Sequence, residues 1–327
     1  MRYVSLPIGG PALSVLGLGC AAMMGSASRR QSLAALAAAD DAGINFFDTA
    51  RSYGYGASES LLGEFCRPRR AQVVLCTKFG ILPAPRTWKH SLRPLARAAV
   101  SLFPGLRGAA RAHTAELLTA NQFSVPLLRA SLETSLRELH TDYVDILLMH
   151  AAPISVLAQH DLFAEMERLV SQGKIRMAGI SAAPGVIRAT FAQRPAVLQT
   201  AQFACDIANF DLLAQPLPRD LFLVANHPFG GVTGVADCRN RIDALRRDQL
   251  LPADLRARLD PRDPQLLPEL ILNAILIGTG IDALVAAMMQ PSHLRSNCRA
   301  LMDCRFSPAE LAQLRHALAS PPAPPAL

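Results

Sequence analysis

Phe47-Asp48-Thr49-Ala50-Arg51-Ser52-Tyr53-Gly54-Tyr55-Gly56-Ala57-Ser58-Glu59 is the stretch on which the reading of this chain turns. A mostly apolar run, Ile44 to Phe47, delivers an acid, and five residues later a tyrosine sits beside glycine. Ser58-Glu59 then opens an apolar helical pattern. The chain has four tyrosines and two of them lie here. An aspartate and a tyrosine where a strand ends point to proton-transfer chemistry more than to packing.

Seven further short apolar runs rich in β-formers recur on either side of this one: Val15–Ala21, Val73–Lys78, Val144–His150, Ile175–Ser181, Val197–Phe203, Leu221–His227 and Ala274–Gly278. The intervals carry helical patterns at Arg29–Ala42, Ser58–Phe65, Pro126–Leu139, Val156–Val170, Pro184–Gln193 and Pro264–Leu272, with Ile281–Met289 and Ser307–Leu318 after the last run. Asp237–Arg262 reads as charged and less regular. Eight alternating units predict an α/β chain folded as a single (β/α)8 TIM barrel with a long loop between strands 3 and 4. A doubly wound sheet is the rival, but Gly17-Leu18-Gly19-Cys20-Ala21-Ala22 fails the GxGxxG turn that such a sheet carries after its first strand. The barrel is expected to occupy residues 1–319, with a Pro-rich disordered tail at 320–327.

The bulk numbers narrow the function. The 327 residues are 50% hydrophobic and 18% charged, enough for a large core. Net charge is +7, and the interval 81–123 supplies five of the seven, with six basic residues against Glu116. That concentration argues against a general nucleic-acid-binding surface. The interval reads as a lid with solvated charges; a basic amphipathic helix on a membrane is the alternative, but Pro94, Pro104 and Gly105 interrupt it. Seven cysteines without a CxxC pair, no secretory leader pattern at Met1–Gly10 and no apolar run of about 18 residues predict a cytoplasmic chain with free thiols and no membrane span. Scattered histidines make a metal centre unexpected, and the GxSxG elbow of a serine nucleophile does not occur.

In a barrel, strand ends converge on one mouth. Asp48 ends the second strand with Tyr53 just beyond, Lys78 ends the third and His150 the fourth. Each alone has a bland reading, as a helix cap, a surface charge or a structural histidine. Four titratable residues on three consecutive strands are hard to explain as packing.

The pattern Asp-Thr-Ala-x-x-Tyr-Gly-x-Gly-x-Ser-Glu, then Thr77-Lys78, then a strand ending in His150, resembles the aldo-keto reductase family. The resemblance continues through Gly173-Lys174-Ile175-Arg176, Gly179-Ile180-Ser181, Ile277-Gly278-Thr279-Gly280 and His293-Leu294-Arg295-Ser296-Asn297. It implies a (β/α)8 barrel, a nicotinamide cofactor, NADP(H) preferred with NAD(H) possible, and reduction of a small-molecule carbonyl substrate or its reverse. It makes Tyr53 the general acid, with Tyr55 as rival. Lys78 is expected to lower the Tyr53 pKa, Asp48 to hold Lys78, and His150 to orient the substrate carbonyl. On the cofactor side it points to Ser181 and Gln199 for the nicotinamide amide, with Gln202 as rival. His227, Phe229 and Gly230, together with Gly278 and Gly280, are the expected pyrophosphate loops. His293, Arg295 and Asn297 are expected at the adenosine 2′-phosphate and adenine. Ala182 and Asn226 depart from the family's usual residues. A cofactor-sensing regulatory barrel is the alternative function.

Overall fold

A computed structural model describes residues 1–83, 122–214 and 216–319. The bulk of the 81–123 interval and the tail 320–327 lie outside the described residues, so the expectations for both lie there too. Ten strands are described: β1 (Tyr3–Val4), β2 (Leu13–Ser14), β3 (Leu16–Gly19), β4 (Phe46–Asp48), β5 (Val74–Phe79), β6 (Val144–His150), β7 (Ile175–Ser181), β8 (Leu198–Ala204), β9 (Phe222–Asn226) and β10 (Ala283–Ala286). β3 to β10 form a closed parallel barrel in sequence order, β10 pairing with both β9 and β3. The fold is a (β/α)8 barrel. Seven of the eight expected helical segments form within a few residues of their predicted bounds, Pro184–Gln193 as predicted; Ile281–Met289, expected as a helix, instead holds the strand Ala283–Ala286.

Side chains alternate across each strand. On β5, Val74, Cys76 and Lys78 point inward, and on β4, Phe46 and Asp48 do. The lower interior is apolar: Phe46, Val74, Ile146, Met177 and Phe222 form one cluster. Leu6 and Leu13 join it from the antiparallel β1–β2 hairpin, which closes the N-terminal end of the barrel. The upper layer is polar and opens at the C-terminal end, where Asp48 and Lys78 lie. The other faces of the strands pack under the helices in a second, larger cluster.

The last third of the chain departs from expectation. The eighth strand is Ala283–Ala286, while Ala274–Gly278, expected as that strand, belongs mostly to the helix Leu266–Leu276. That helix is buried on nearly every side, and a continuous apolar run carries no period that separates a strand from a buried helix. Gly278 (φ 74°) follows as a helix stop, and Thr279 Oγ1 donates to the Ile275 carbonyl at 2.5 Å. Asp237–Arg262, read as irregular, contains the helices Gly231–Arg247 and Ala253–Ala257. The first is anchored by a narrow stripe, Cys238, Ile242 and Leu245, under a charged exterior. A helix at Pro291–Met302, not anticipated, buries Leu294, Asn297, Cys298 and Leu301. Among the described residues no helix is long and apolar enough to cross a membrane, and all seven cysteines are free thiols.

Candidate active site

Strand register brings the acid and the ammonium together. Asp48 lies opposite Cys76, and Lys78 points inward one inner position above Cys76, so both head groups enter the same polar layer. Lys78 Nζ donates to both Asp48 oxygens at 2.7 Å and to the Thr49 carbonyl at 3.0 Å. Lys78 is 1% exposed and Asp48 4%, so the charges are desolvated and need one another. Burial by itself would lower the Lys78 pKa, but Asp48, Tyr53 and Cys76 together outweigh it and raise the value well above ordinary lysine.

Tyr53 faces this pair. Lys78 Nζ lies 5.1 Å from the centre of its ring, and the His150 ring meets it edge-on with centroids 5.6 Å apart. The expectation that Lys78 lowers the Tyr53 pKa gives way to a different balance. Burial raises it most, Lys78 pulls it down, Asp48 pushes it up again, and the net direction is upward. Burial, followed by the Lys78 charge, lowers the His150 pKa from 6.5 to about 4, so this imidazole is neutral at pH 7. Its Nδ1 is buried with no hydrogen-bond partner among the described residues.

The rest of the quoted stretch holds Tyr53 in place. Glu59 is fully buried, accepts from Thr77 Oγ1 at 2.6 Å and pairs with Arg51 Nη1 at 2.5 Å. It therefore ties the loop carrying Tyr53 to the strand carrying Lys78. Thr49 Oγ1 and Ser58 Oγ are 3.0 Å apart. Between these ties the chain turns through Gly54 and Tyr55 at positive φ, 58° and 59°. A side chain at Gly54 would put its Cβ 2.4 Å from the Met23 carbonyl oxygen, so only glycine fits there.

The polar layer continues across the barrel. Ser181 Oγ donates to Gln202 Oε1 at 3.0 Å, and Gln202 Nε2 donates to Asp48 Oδ1 at 3.0 Å. Gln202 lies beside Ser181 in register, whereas Gln199 sits three residues nearer the N-terminal end of β8, beyond a register shift at Ala178/Gly179. The residue that joins Ser181 is thus Gln202, and Gln199 stays out of the layer.

Beyond the mouth, the loop after β9 carries His227 (φ 52°), Phe229 and Gly230 (φ 60°) to the start of the helix Gly231–Arg247. His227 Nδ1 lies 3.0 Å from Asn226 Oδ1. Phe229 opens onto a cleft of about 500 Å³ between that helix and Pro291–Met302. His293 and Asn297 line the cleft, joined by Ser292, Ala287, Arg239 and Asp263. Asn297 is 5% exposed. Arg295, on the same helix, is exposed and does not line the cleft. Gly278 and Gly280 precede β10 and lie at the opposite, N-terminal end of the barrel, where Gly280 approaches Leu217 and Arg219. They do not reach the mouth.

The model of the aldo/keto reductase family matches residues 15–219. This chain belongs to that family. Aldo-keto reductase YhdN of Bacillus subtilis is 32% identical to it over 187 residues, which are 55% of this chain and 47% of that protein. The chain thus spans about half the length of the curated relatives it matches. An aldo-keto reductase from Bacillus halodurans, solved in its holo form, has the same fold (TM-score 0.69, 21% identity, 98% of this chain and 97% of that one). An aldo/keto reductase from Klebsiella pneumoniae, solved in complex with NADP and acetate, is 25% identical with a TM-score of 0.63, over 95% of this chain and 93% of that one.

Within this aldo/keto reductase the sequence reading missed Arg239, Ser292 and Ala287 in the cleft and ranked Gln202 below Gln199. Arg239 lay in a segment read as irregular, so no helix was there to aim it. Ala287 follows a strand that had been placed about nine residues too early. No signal in the sequence separated Gln202 from Gln199, because the register shift at Ala178/Gly179 is set by strand pairing.

Proposed function

We propose that this aldo/keto reductase is a nicotinamide-dependent carbonyl reductase, converting an aldehyde or ketone to its alcohol or running the same chemistry backwards on an alcohol or sugar. The Asp48–Lys78–Tyr53–His150 constellation carries the reading. A bound NADP(H), or NAD(H), supplies the hydride. The chain supplies position and a proton. Tyr53 donates its phenolic proton to the carbonyl oxygen as charge builds there, and Lys78 stabilises the phenolate left behind. Asp48 holds Lys78 by both oxygens. Neutral His150 donates one ring N–H to the same carbonyl oxygen and fixes its angle of approach. Tyr53 is protonated at neutral pH, so the proton is in place for reduction.

The residues present fit the cofactor. The cleft beyond the mouth offers a buried Asn297 amide, His293, Ser292 and the Arg239 guanidinium, a planar cation suited to a phosphate. The loop at His227–Gly230 opens a helix N-terminus suited to an anion. Ser181 and Gln202 lie at the inner end for the carboxamide. The Klebsiella relative's NADP supports the same choice. Arg239 takes over the role expected of Arg295 in preferring NADP(H). A cofactor-sensing barrel would need this cleft but not an intact acid, so the constellation favours the reductase. We read residues 1–319 as its one domain, and place it in the cytoplasm on the strength of its free thiols. Tyr53→Phe is the test: turnover of a reactive aldehyde falls by about 10²–10⁴-fold or more while NADPH still binds. Full activity in that variant sinks the assignment.

A further inference from the structure

We propose that Gln202 is a positioning residue for the proton transfer: it shares the Asp48 carboxylate with Lys78 and thereby governs how much of the Lys78 charge acts on Tyr53. The proposal rests on the reductase reading above.

Gln202 is fully buried and bonded at both ends of its amide. Nε2 donates to Asp48 Oδ1 and Oε1 accepts from Ser181 Oγ, each at 3.0 Å. The same Asp48 oxygen receives Lys78 Nζ at 2.7 Å. A carboxylate only accepts, so the amide NH2 has to face Asp48 and the amide oxygen has to face Ser181. Ser181 must then donate inward. Gln202 and Lys78 both donate to the Asp48 carboxylate, and Ser181 donates to the Gln202 amide oxygen behind it; such chains polarise cooperatively. The Ser181 oxygen keeps its lone pairs for a donor arriving at the mouth, which links occupancy there to Asp48.

Two opposite charges compete at Tyr53. Lys78 favours the phenolate and Asp48 opposes it. A donor on Asp48 spreads its negative charge and leaves more of the Lys78 field for Tyr53. Removing that donor leaves a stronger bare carboxylate, and the phenolate becomes harder to form. The other groups facing the site do not compensate. His150 is held neutral by burial and Lys78. Burial followed by Asp48 raises the Cys76 and Cys20 thiols well above the ordinary value, so both stay uncharged. Arg51 and Glu59 neutralise one another at 2.5 Å.

The test is an alkaline titration of tyrosinate absorbance on the cofactor-free protein, the Tyr53 component being the difference between each protein and the same protein carrying Tyr53→Phe. In Gln202→Met the Tyr53 midpoint moves up by about half a pH unit or more, and the pH limb of kcat for alcohol oxidation moves up with it. Ser181→Ala, which leaves the buried amide in place, gives a smaller shift in the same direction. A residue that only fills space would reduce amplitude or rate without moving either midpoint. An unmoved or lowered midpoint in folded Gln202→Met, or in Ser181→Ala where Gln202→Met does not fold, overturns the proposal. The titration needs no turnover. A parent protein that turns over aldehyde but whose variants titrate alike refutes the role of Gln202 alone. A parent inactive on every carbonyl refutes the reductase reading instead.

Discussion

The rings of Tyr53 and His150 meet edge to face, with centroids 5.6 Å apart and planes at 85°. One end of the candidate acid is thereby packed against an imidazole that burial and Lys78 hold neutral, with a pKa near 4. Tyr53 is itself raised above the ordinary tyrosine value of about 10. Neither group changes charge between pH 5 and 8. Aldehyde reduction is therefore expected to keep a flat kcat across that range, while alcohol oxidation, which needs the phenolate, climbs through alkaline pH. A limb near pH 6.5 in the reduction profile would contradict this.

The same histidine makes stability depend on pH. Its folded pKa is depressed, so the unfolded chain takes up the proton first. Its contribution is complete above about 6.5 and declines as pH falls from 6.5 towards 4. The slope in that window is at most about 1.4 kcal/mol per pH unit. Denaturant midpoints measured from pH 4 to 7 are expected to differ between wild type and His150→Asn in slope within that window.

Glu59 carries no chemistry of its own, yet it joins Arg51 to Thr77 from a fully buried position. Glu59→Ala strands Arg51 without a partner and is expected to cost about 3 kcal/mol or more in chemical denaturation. Activity falls as well, because the loop bearing Tyr53 loses its tie to the strand bearing Lys78. Wild-type stability in that variant would show that the tie is dispensable.

Arg239 faces the cleft and Arg295 does not. Arg239→Met is expected to weaken NADPH about tenfold, equivalent to about 1.4 kcal/mol, and to leave NADH unchanged. Arg295→Met changes neither. Nucleotide fluorescence titrations with the two cofactors separate these outcomes. Equal losses for NADPH and NADH in Arg239→Met would deny the residue a part in telling them apart.

Much of the first two thirds of the chain was legible from residue order alone. Val144–His150 and Ile175–Ser181 form as strands over the predicted residues, because each is a short, mostly apolar run bounded by turns. Asp48, Tyr53, Lys78 and His150 could be named because a parallel barrel sends all strand ends to one rim. The final third resisted. The buried helix Leu266–Leu276 is apolar all round and leaves no period to read, so the eighth strand was placed too early and Gly278 and Gly280 with it. The β1–β2 hairpin is too short for any periodic signal, two residues per strand.

The sequence by itself determined the barrel, the four polar residues at its mouth and the family, because alternation, strand spacing and a dense local motif are properties of residue order. Tertiary structure alone decided which glutamine meets Ser181, since one register shift between β7 and β8 is a matter of strand pairing. It also decided which arginine enters the cleft, since that depends on how two helices face one another. Above all it decided the direction of the Tyr53 pKa. A lysine nearby in sequence logic argues downward, but the burial that brings the lysine close also withdraws water, and here the second effect prevails.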